Sequence, residues 1–321
     1  MNKGKYNNHI SRLILILIGI LLLAFIIKGD SFYKTTNFIS MQRQMVEYGL
    51  MALGVSVAMI SGGIDLSTVY IANLSAIIAG LIMMNYSGIT GIVLAVVCAI
   101  GIGVICGTLN GVLVSKINIP PMLATLGTMQ LFMGIAIIIT AGRGLSGVSD
   151  IFPVISKVTL FNFIPLSFVI YLFLVALIAY IFDRTTFGLK VYSVGTNSLA
   201  SRYTGYNVSK ILIKTYLISG ILSSVAGLIS LSRINSAKAD FGSSYTMQTI
   251  LIAVLGGLNP NGGSGKILGV FLATIIVQVL SSLLNLFPNI NNFYRDLIWG
   301  GALIFVLLLN YYVDNKKRRS S

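Results

Sequence analysis

Residues 90–114 read TGIVLAVVCAIGIGVICGTLNGVLV and contain no charged side chain. A helix of this length is about 38 Å long, enough to cross the roughly 30 Å hydrocarbon core of a bilayer. Lipid offers no hydrogen-bonding partners to an open backbone, so a helix is the conformation that such a stretch adopts. The stretch therefore predicts a transmembrane helix and sets the fold class.

Nine further apolar blocks occur along the chain. They lie near 13–27, 38–60, 67–85, 121–141, 162–182, 210–232, 245–257, 265–286 and 293–312. Of the 321 residues, 56% are hydrophobic and 9% are charged, whereas about a quarter are charged in an average soluble domain. We predict an all-α, polytopic membrane protein with about ten transmembrane helices, in which residues 1–321 form one membrane-spanning domain.

The eighth block, 245–257, is short for a crossing. Residues 245–265 are also compatible with a re-entrant element buried within the protein. We favour a crossing, because ten crossings leave both basic ends of the chain on one side.

The formal net charge of +14 would suggest a nucleic-acid partner in a soluble protein. Here Lys and Arg flank the apolar blocks, so we expect no nucleic-acid partner and interpret the charge as topology. The positive-inside rule places three basic segments in the cytoplasm: the tail 1–12, the connection 183–209 and the tail 313–321. The sequence thus predicts a multi-pass protein of the bacterial cytoplasmic membrane with both termini cytoplasmic. Block 13–27 is predicted to be retained, because no small-residue cleavage site follows it.

Catalytic chemistry is poorly represented in this chain. Nucleophilic or metal catalysis needs converging His, Cys or carboxylate groups, and the sequence has a single histidine, His9. Residues 262–266, GGSGK, match a phosphate-binding loop only in part, because Pro260 stands at the first glycine position and Ile267 replaces the Ser or Thr. We predict no enzymatic activity, no bound metal and no cofactor.

Glu47 is an acidic residue deep within the predicted span 38–60. Arg43 lies four positions earlier, on the same face of a helix. We predict an intrahelical Arg43–Glu47 ion pair that lowers the cost of burying the carboxylate.

Residues 61–67, SGGIDLS, interrupt the apolar pattern between the second and third spans. Two glycines end one helix, and Asp65 is placed to cap the next. Helices that break within the membrane form binding sites in transporters. We predict a broken helix near Gly62–Asp65, with Asp65 acting either as a helix cap or as a pathway or gating group.

The run GGIDLS at 62–67 resembles the signature of the permease subunits of ribose-type ABC sugar importers. Further matches follow in the family's order at 110–111, 119–121, 123–129, 187–188, 194–197, 232–237, 255–257 and 262–263. The resemblance covers nearly the whole chain. It implies a monosaccharide permease that moves its solute inward by alternating access. It also implies three partners: cytoplasmic ATP-binding subunits, an extracytoplasmic sugar-binding protein and a second permease subunit, identical or related.

The same resemblance assigns a task to the connection 183–209. A short helix around 197–205 is expected to seat on the ATPase and to transmit its closure. Leu199 and Tyr203 lie four residues apart and would form its apolar docking face. The implied coupling residues are Phe187, Gly188, Asn197, Leu199, Tyr203 and Gly205. The alternative is an ordinary basic loop that faces anionic lipid.

Uncharged hydrogen-bonding side chains within the spans suit a hydroxyl-rich solute. The candidate pathway residues are Asp65, Ser67, Asn73, Thr125, Thr128, Gln130, Gln248 and Asn285. Hydrogen bonding between helices is the alternative role for each of them. Ribose permeases usually carry Glu and Asp where this chain has Thr246 and Gln248, so the identity of the sugar stays open.

Candidates for docking the binding protein lie on the predicted outer side. They are Arg143 and Asp150 in the connection 142–161, and Arg233 at the end of the seventh span. A solvated loop is the alternative for that connection.

Two other classes of function compete with the permease. An ATP-independent secondary carrier of a small polar solute would need only this subunit and an ion gradient. A membrane-embedded enzyme would release a chemically altered product.

Overall fold

A computed structural model describes residues 3–287, 294 and 297–308, without the side chains of residues 3–8, 30 and 31. Its helices are α1 (Lys3–Phe32), α2 (Thr35–Ile60), α3 (Thr68–Asn85), α4 (Gly88–Ser115), α5 (Pro121–Thr140), α6 (Val154–Lys157), α7 (Leu166–Arg184), α8 (Thr186–Thr196), α9 (Ser198–Tyr203), α10 (Val208–Ile234), α11 (Tyr245–Leu255), α12 (Ile267–Asn285) and α13 (Leu297–Leu308). Four two-residue strands, β1 (Leu145–Ser146), β2 (Thr159–Leu160), β3 (Ile164–Pro165) and β4 (Ser236–Ala237), pair as β1–β4 and β2–β3. The predicted all-α, polytopic fold is confirmed.

Ten of these helices lie at the ten predicted spans. Seven of them, in α1, α3, α4, α5, α7, α10 and α12, are long and apolar enough to cross a bilayer. α2 is equally long but less hydrophobic, and α11 and α13 are shorter. The count of ten is therefore approximate. The ends of the last predicted span, 293–312, lie partly outside the described residues.

The first helix is longer than the span predicted for it. α1 begins at Lys3, so residues 3–12, which were predicted to be a tail, continue the helix of the first span. The tail 313–321 lies outside the described residues. The cytoplasmic location of both ends stays a prediction.

α2, α3 and α10 form the centre of the bundle. Every residue of α2 from Met45 to Ile60 is buried. α10 packs along α4, α2 and α3, and small residues bring its backbone close to α4: a Cβ atom on Gly220 would meet the carbonyl oxygen of Gly103. Such close approach between small residues is a common source of helix association in membranes.

Other helices lie at the periphery and expose apolar surface. α1 packs mainly against α12, and α5 contacts mainly α3 and α4. Ile138 on α5 is 80% exposed, and Leu297 on α13 is 74% exposed. Lipid or another membrane subunit covers such surfaces in a membrane protein.

One end of the bundle, the break end, gathers the segments 61–67, 115–121, 183–209 and 257–266. The Gly263 amide donates to the Ile60 carbonyl (2.9 Å), the Tyr192 hydroxyl donates to the Gly265 carbonyl (2.9 Å), and Ser209 Oγ donates to the Ser115 carbonyl (2.9 Å). α1 starts at this end as well, since a Cβ atom on Gly257 would meet the His9 ring.

The opposite end, the strand end, gathers the segments 141–165 and 235–244. Strands β1 and β4 pair here, and the Asn235 side chain accepts from the Ser149 amide (3.1 Å). Ser232 Oγ donates to the Phe152 carbonyl (2.9 Å). The connection 142–161 is thus folded onto α10 instead of lying free.

The eighth predicted span combines a short helix with irregular chain. α11 has 11 residues, about 16 Å at 1.5 Å per residue, which is too short to cross alone. The preceding segment 238–244 is irregular, and the Asn73 side chain donates to its Ala239 (3.0 Å) and Phe241 (2.8 Å) carbonyls. Non-helical backbone is tolerated at membrane depth when protein groups satisfy it in this way. That this part of the chain crosses the bilayer stays a prediction.

Candidate functional site

The predicted break between α2 and α3 is present and lies inside the bundle. α2 ends at Ile60, and Gly62 adopts φ +92°, a left-handed conformation that side chains with a Cβ rarely adopt. The chain then turns through Ile64 and Asp65 before α3 begins at Thr68. Asp65 lies beside Ser219 of α10, eleven residues beyond the start of that helix.

The Asp65 carboxylate is fully buried and accepts four hydrogen bonds. Oδ1 accepts from the Ser67 amide (3.0 Å), the Ser67 hydroxyl (2.6 Å) and Asn110 Nδ2 (3.5 Å), and Oδ2 accepts from the Ser219 hydroxyl (2.7 Å). Within the described chain, Asp65 forms no ion pair. Donors that converge on a carboxylate stabilise its charged form, so polar groups here take the place of a counter-ion.

The hydrogen bonds around Asp65 continue into a relay that joins four elements. Thr128 Oγ1 on α5 donates to Asn110 Oδ1 on α4 (2.7 Å), and Asn110 Nδ2 donates to Ser67 Oγ (2.8 Å). Ser67 in turn donates to Asp65. We call the set Asp65, Ser67, Asn110, Thr128 and Ser219 the carboxylate cluster.

Thr125 ties α5 to the same break by a separate contact. Its hydroxyl lies 2.9 Å from the Ile64 carbonyl and 2.9 Å from the Pro121 carbonyl of its own helix. The structure therefore brings together four predicted pathway residues, Asp65, Ser67, Thr125 and Thr128. Buried polar groups that are linked in this way resist local rearrangement, because breaking one contact leaves its neighbours unpaired.

The other four predicted pathway residues lie apart from the cluster. Asn73 is buried and holds the irregular segment before α11. Gln248 is buried on α11, whereas Gln130 on α5 and Asn285 at the end of α12 are exposed. Their part in a pathway stays a prediction.

Two members of the carboxylate cluster were missed as site residues. Asn110 was used only as part of a family motif, and Ser219 was not singled out. A polar side chain inside an apolar span is a signal for both, because such groups find a partner inside the bundle.

The predicted Arg43–Glu47 ion pair is wrong. Glu47 is fully buried and pairs instead with Arg233 of α10, whose Nη2 lies 3.1 Å from Glu47 Oε2 and whose Nε donates to Oε1. Arg43 donates to the Lys157 carbonyl (3.0 Å) at the strand end. The Arg43 guanidinium is used at the strand end, whereas the Arg233 guanidinium on the facing helix α10 donates to both oxygens of the Glu47 carboxylate.

Aromatic and amide groups surround this ion pair. The Tyr48 hydroxyl donates to Gln278 Oε1 of α12, and the Tyr48 ring lies 5.7 Å from that of Tyr245. The Arg233 side chain is 26% exposed. Its predicted role in docking stays a prediction, but the ion pair gives it a structural task.

The two other predicted docking residues lie at the strand end. Arg143 lines a cavity of about 210 Å³ together with Lys238 and Asp240, which form an exposed ion pair (3.1 Å). Asp150 is exposed in the same connection. The strand end therefore carries charged side chains of both signs.

The connection 183–209 is more ordered than a loop. It contains α8 and α9, and Asn197 caps α9 by accepting from the Ala200 amide (2.9 Å). The short helix expected around 197–205 is present as α9. Its neighbour α8 was not predicted.

The predicted coupling residues divide into buried and exposed groups. Gly188 packs against the backbone of Phe182, and Phe187 is half-buried beside it. Leu199 is 60% exposed and Tyr203 is 85% exposed. An exposed apolar face on a short helix is a surface that a partner can cover.

A bundle of apolar helices that breaks around a buried polar cluster is the architecture of a polytopic membrane transport protein. The chain belongs to the family described as "Branched-chain amino acid transport system / permease component", which matches residues 37–307. It is thus a multi-pass inner-membrane permease of a family of transporters and not of enzymes.

Three relatives illustrate the similarity. The ribose import permease protein RbsC of Bacillus subtilis (strain 168) is 31% identical over 305 residues, 94% of this chain and 92% of the relative. The fructose import permease protein FrcC of Rhizobium meliloti is 31% identical over 92% of this chain and 82% of the relative. The autoinducer 2 import system permease protein LsrD of Yersinia pseudotuberculosis serotype O:1b (strain IP 31758) is 31% identical over 86% of this chain and 81% of the relative. No solved structure matches the chain significantly.

Proposed function

We propose that this chain is the permease subunit of an ATP-driven importer for a monosaccharide or a similar hydroxyl-rich solute. The observation that carries the proposal is similarity along nearly the whole length to permeases named for ribose and fructose import. The family description names branched-chain amino acids, so the class of solute is the part that needs an experiment.

Cytoplasmic ATP-binding subunits are the proposed source of energy. They would dock at the break end, where Leu199 and Tyr203 form an exposed apolar pair on α9. The end of α8 touches the end of α2, since a Cβ atom on Gly195 would meet the Ile60 carbonyl oxygen. Movement of α8 and α9 would therefore reach the helix break directly through backbone contact.

An extracytoplasmic binding protein is the proposed source of solute. It would dock at the strand end, through Arg143 and Asp150, and Arg233 lies at the same end of α10. Charged rims of this kind steer partners into register more than they add affinity.

A second permease subunit, identical or related, is proposed to cover α5. Gln130 is exposed on this helix among Leu126, Leu131 and Ile138. An amide that faces hydrocarbon is unfavourable, whereas a facing helix can offer it a hydrogen-bonding partner. A pathway between two subunits would give Gln130 and its neighbours a polar space to face.

Alternating access is the proposed mechanism, with the break between α2 and α3 as the moving element. A solute shifts a two-state equilibrium only by its difference in affinity for the two states, so ATP has to supply the main bias. The carboxylate cluster would hold the break in one arrangement until α8 and α9 move.

The break end is proposed to face the cytoplasm, which places the start of α1 there. The support is charge: Lys116, Arg184, Lys190, Arg202 and Lys266 all lie in the segments of this end, and Lys210 lies in the first turn of α10. Cytoplasmic segments of membrane proteins are enriched in Lys and Arg. The C-terminal tail would lie on the same side.

Reconstitution tests the proposal. The chain is placed in liposomes with candidate ATPase and binding-protein subunits and is presented with labelled pentoses, hexoses and branched-chain amino acids. We expect ATP-dependent accumulation of an unmodified sugar. Accumulation of amino acids alone would contradict the proposed class of solute.

The same assay separates the competing classes. A secondary carrier would transport without the ATPase and stop when the ion gradient is removed. An enzyme would yield a modified solute. Either result would contradict an ATP-driven permease.

A further inference from the structure

A basic cavity lies on the flank of the break end, between α8 and the start of α10. Its volume is about 460 Å³, and the side chains of Lys190, Lys210 and Lys214 line it. Thr186 and Tyr206 also contribute to the lining, and no acidic residue does. In the described part of the chain, none of the three lysines forms a salt bridge.

The local electrostatics of this cavity are unfavourable without an anion. Lys210 and Lys214 are four residues apart, so their like charges lie on one face of α10 and repel each other. Lys210 also lies in the first turn of α10, where the partial positive charge of the helix N-terminus opposes a cation. The first turn of α10 carries no acidic residue that offsets this charge.

The third lysine reaches the cavity from another element. Lys190 lies on α8, and its Nζ lies 5.7 Å from the centre of the Tyr206 ring. This cation–π contact holds the ammonium group near the connection between α9 and α10. Three cations from two helices thus converge on one concave surface.

The depth of the cavity matches the headgroup layer of the membrane. α10 has 27 residues, about 40 Å, and exceeds the hydrocarbon thickness by about 10 Å. Residues 215–232 carry no charge and measure about 27 Å, so Lys214 stands at the boundary of the apolar stretch. The exposed pair Leu199 and Tyr203 on α9 does not line the cavity, although Phe187 and Gly205 of the implied coupling residues do.

We infer that this cavity binds a phosphate-bearing anion, with the headgroup of an anionic phospholipid as the occupant that its depth favours. The phosphate would be shared by Lys190, Lys210 and Lys214, and the acyl chains would extend from the cavity into the bilayer. Basic pockets beside transmembrane helices on the cytoplasmic side bind acidic headgroups by the same chemistry. The inference does not depend on which solute the protein transports.

Binding to the purified, delipidated full-length chain tests the inference. Phosphatidylglycerol, phosphatidylcholine and inorganic phosphate are each titrated in detergent, and the shift of the thermal unfolding midpoint gives an apparent affinity. We expect phosphatidylglycerol to bind more tightly than phosphatidylcholine. The variant Lys210→Gln/Lys214→Gln should bind it about 30-fold more weakly, the loss expected for two lysines near a membrane surface.

Two variants control for misfolding and for unspecific charge. Lys116→Gln/Lys266→Gln removes two charges at the same end but outside the cavity lining, and should change the affinity less than about twofold. Lys210→Arg/Lys214→Arg retains the charges and should retain the binding. Each variant is compared with its own midpoint in the absence of lipid, so a general loss of stability does not count as lost binding.

The outcomes separate the sources of the anion. A response to phosphatidylglycerol but not to millimolar phosphate supports a lipid headgroup, and an equal response to phosphate supports a soluble phosphate compound in the same cavity. Equal affinity of Lys210→Gln/Lys214→Gln and the unaltered chain for phosphatidylglycerol would overturn the inference. The inference would also be overturned if neither phosphatidylglycerol nor phosphate shifted the unfolding midpoint and these lysines bound only an acidic polypeptide, for which polyglutamate is the probe.

Discussion

The Ser219 hydroxyl of α10 donates a 2.7 Å hydrogen bond to Oδ2 of Asp65, across 154 residues of sequence. This bond joins a fully buried side chain of α10 to the break between α2 and α3. It is also the one contact to Oδ2 among the hydrogen bonds described for Asp65, because the other donors reach Oδ1. Its removal therefore leaves Oδ2 of the buried carboxylate without the donor described for it.

Replacing Ser219 with alanine should destabilise the protein by about 2 kcal/mol, because a hydrogen bond to a buried charged group is lost. The midpoint of thermal unfolding in detergent measures the effect. Ser223→Ala is the matched control: this serine is also buried on α10, but its hydroxyl donates only to the Ser219 carbonyl of its own helix (2.8 Å). Equal losses in the two variants would show that the Asp65 contact adds nothing.

Replacing Arg233 with methionine should destabilise the protein by about 3–5 kcal/mol, because Glu47 then stays buried without its partner. The double variant Glu47→Gln/Arg233→Met should recover much of this loss, since no charge is left unpaired. Denaturant titration of the two variants measures the difference.

The same series tests which arginine pairs with Glu47. Arg43→Met removes a hydrogen bond to a backbone carbonyl at the strand end and should cost less than about 1 kcal/mol. A loss as large as that of Arg233→Met would restore the intrahelical pair that the sequence suggested.

Replacing Tyr203 with aspartate should separate ATP hydrolysis from uptake in the reconstituted importer. The ring is 85% exposed on α9, so the chain should still fold and insert, whereas a charge in an apolar docking surface should lower uptake at least about tenfold. ATP hydrolysis and solute uptake are measured in the same liposomes.

A tyrosine at the strand end of the bundle provides the control for this substitution. Tyr86 is 60% exposed and follows the strand-end terminus of α3. Tyr86→Asp should leave the coupling unchanged. Normal uptake in Tyr203→Asp would contradict an ATPase surface on α9.

Replacing Gly195 with alanine should destabilise the protein by about 1–3 kcal/mol, because the new Cβ would press on the Ile60 carbonyl and on the Gly263 amide. Gly101→Ala on α4 is the control, since a Cβ there meets open space. That change should be neutral or stabilising by about 0.5–1 kcal/mol. Unfolding midpoints of the two variants decide whether the α8–α2 contact is as tight as the structure indicates.

Local sequence was sufficient to predict the apolar spans and the break. The predicted capping role of Asp65 is not observed, because Ser67 precedes α3 and no side chain caps that helix. Apolar length identifies a span without knowledge of its neighbours, and Gly62 and Gly63 carry the signal for a helix end. These features depend on residues that are close in the chain, which is why periodicity and capping rules find them.

Pairings between distant segments could not be predicted in the same way. Glu47 and Arg233 are 186 residues apart, and the nearer Arg43 offered a plausible partner that the packing of α2 against α10 does not use. α8 was missed because its mixed polar and apolar residues follow α7 almost directly, so hydropathy assigned them to a connection. The partner of Ser219 likewise depends on which face of α10 meets the break.

The burial of α2 has a consequence for how the protein is made. Residues 45–60 of α2 are buried by other parts of the protein, so they need no surface that is compatible with lipid. Accordingly, α2 is less hydrophobic than the seven most apolar helices. Its own partitioning from the translocon into lipid is weak, since Arg43 and Glu47 oppose insertion. The Glu47 partner Arg233 is synthesised 186 residues later. We therefore expect α2 to stay at the insertion machinery until α10 emerges, so that the centre of the bundle assembles only after α3–α9 have been synthesised.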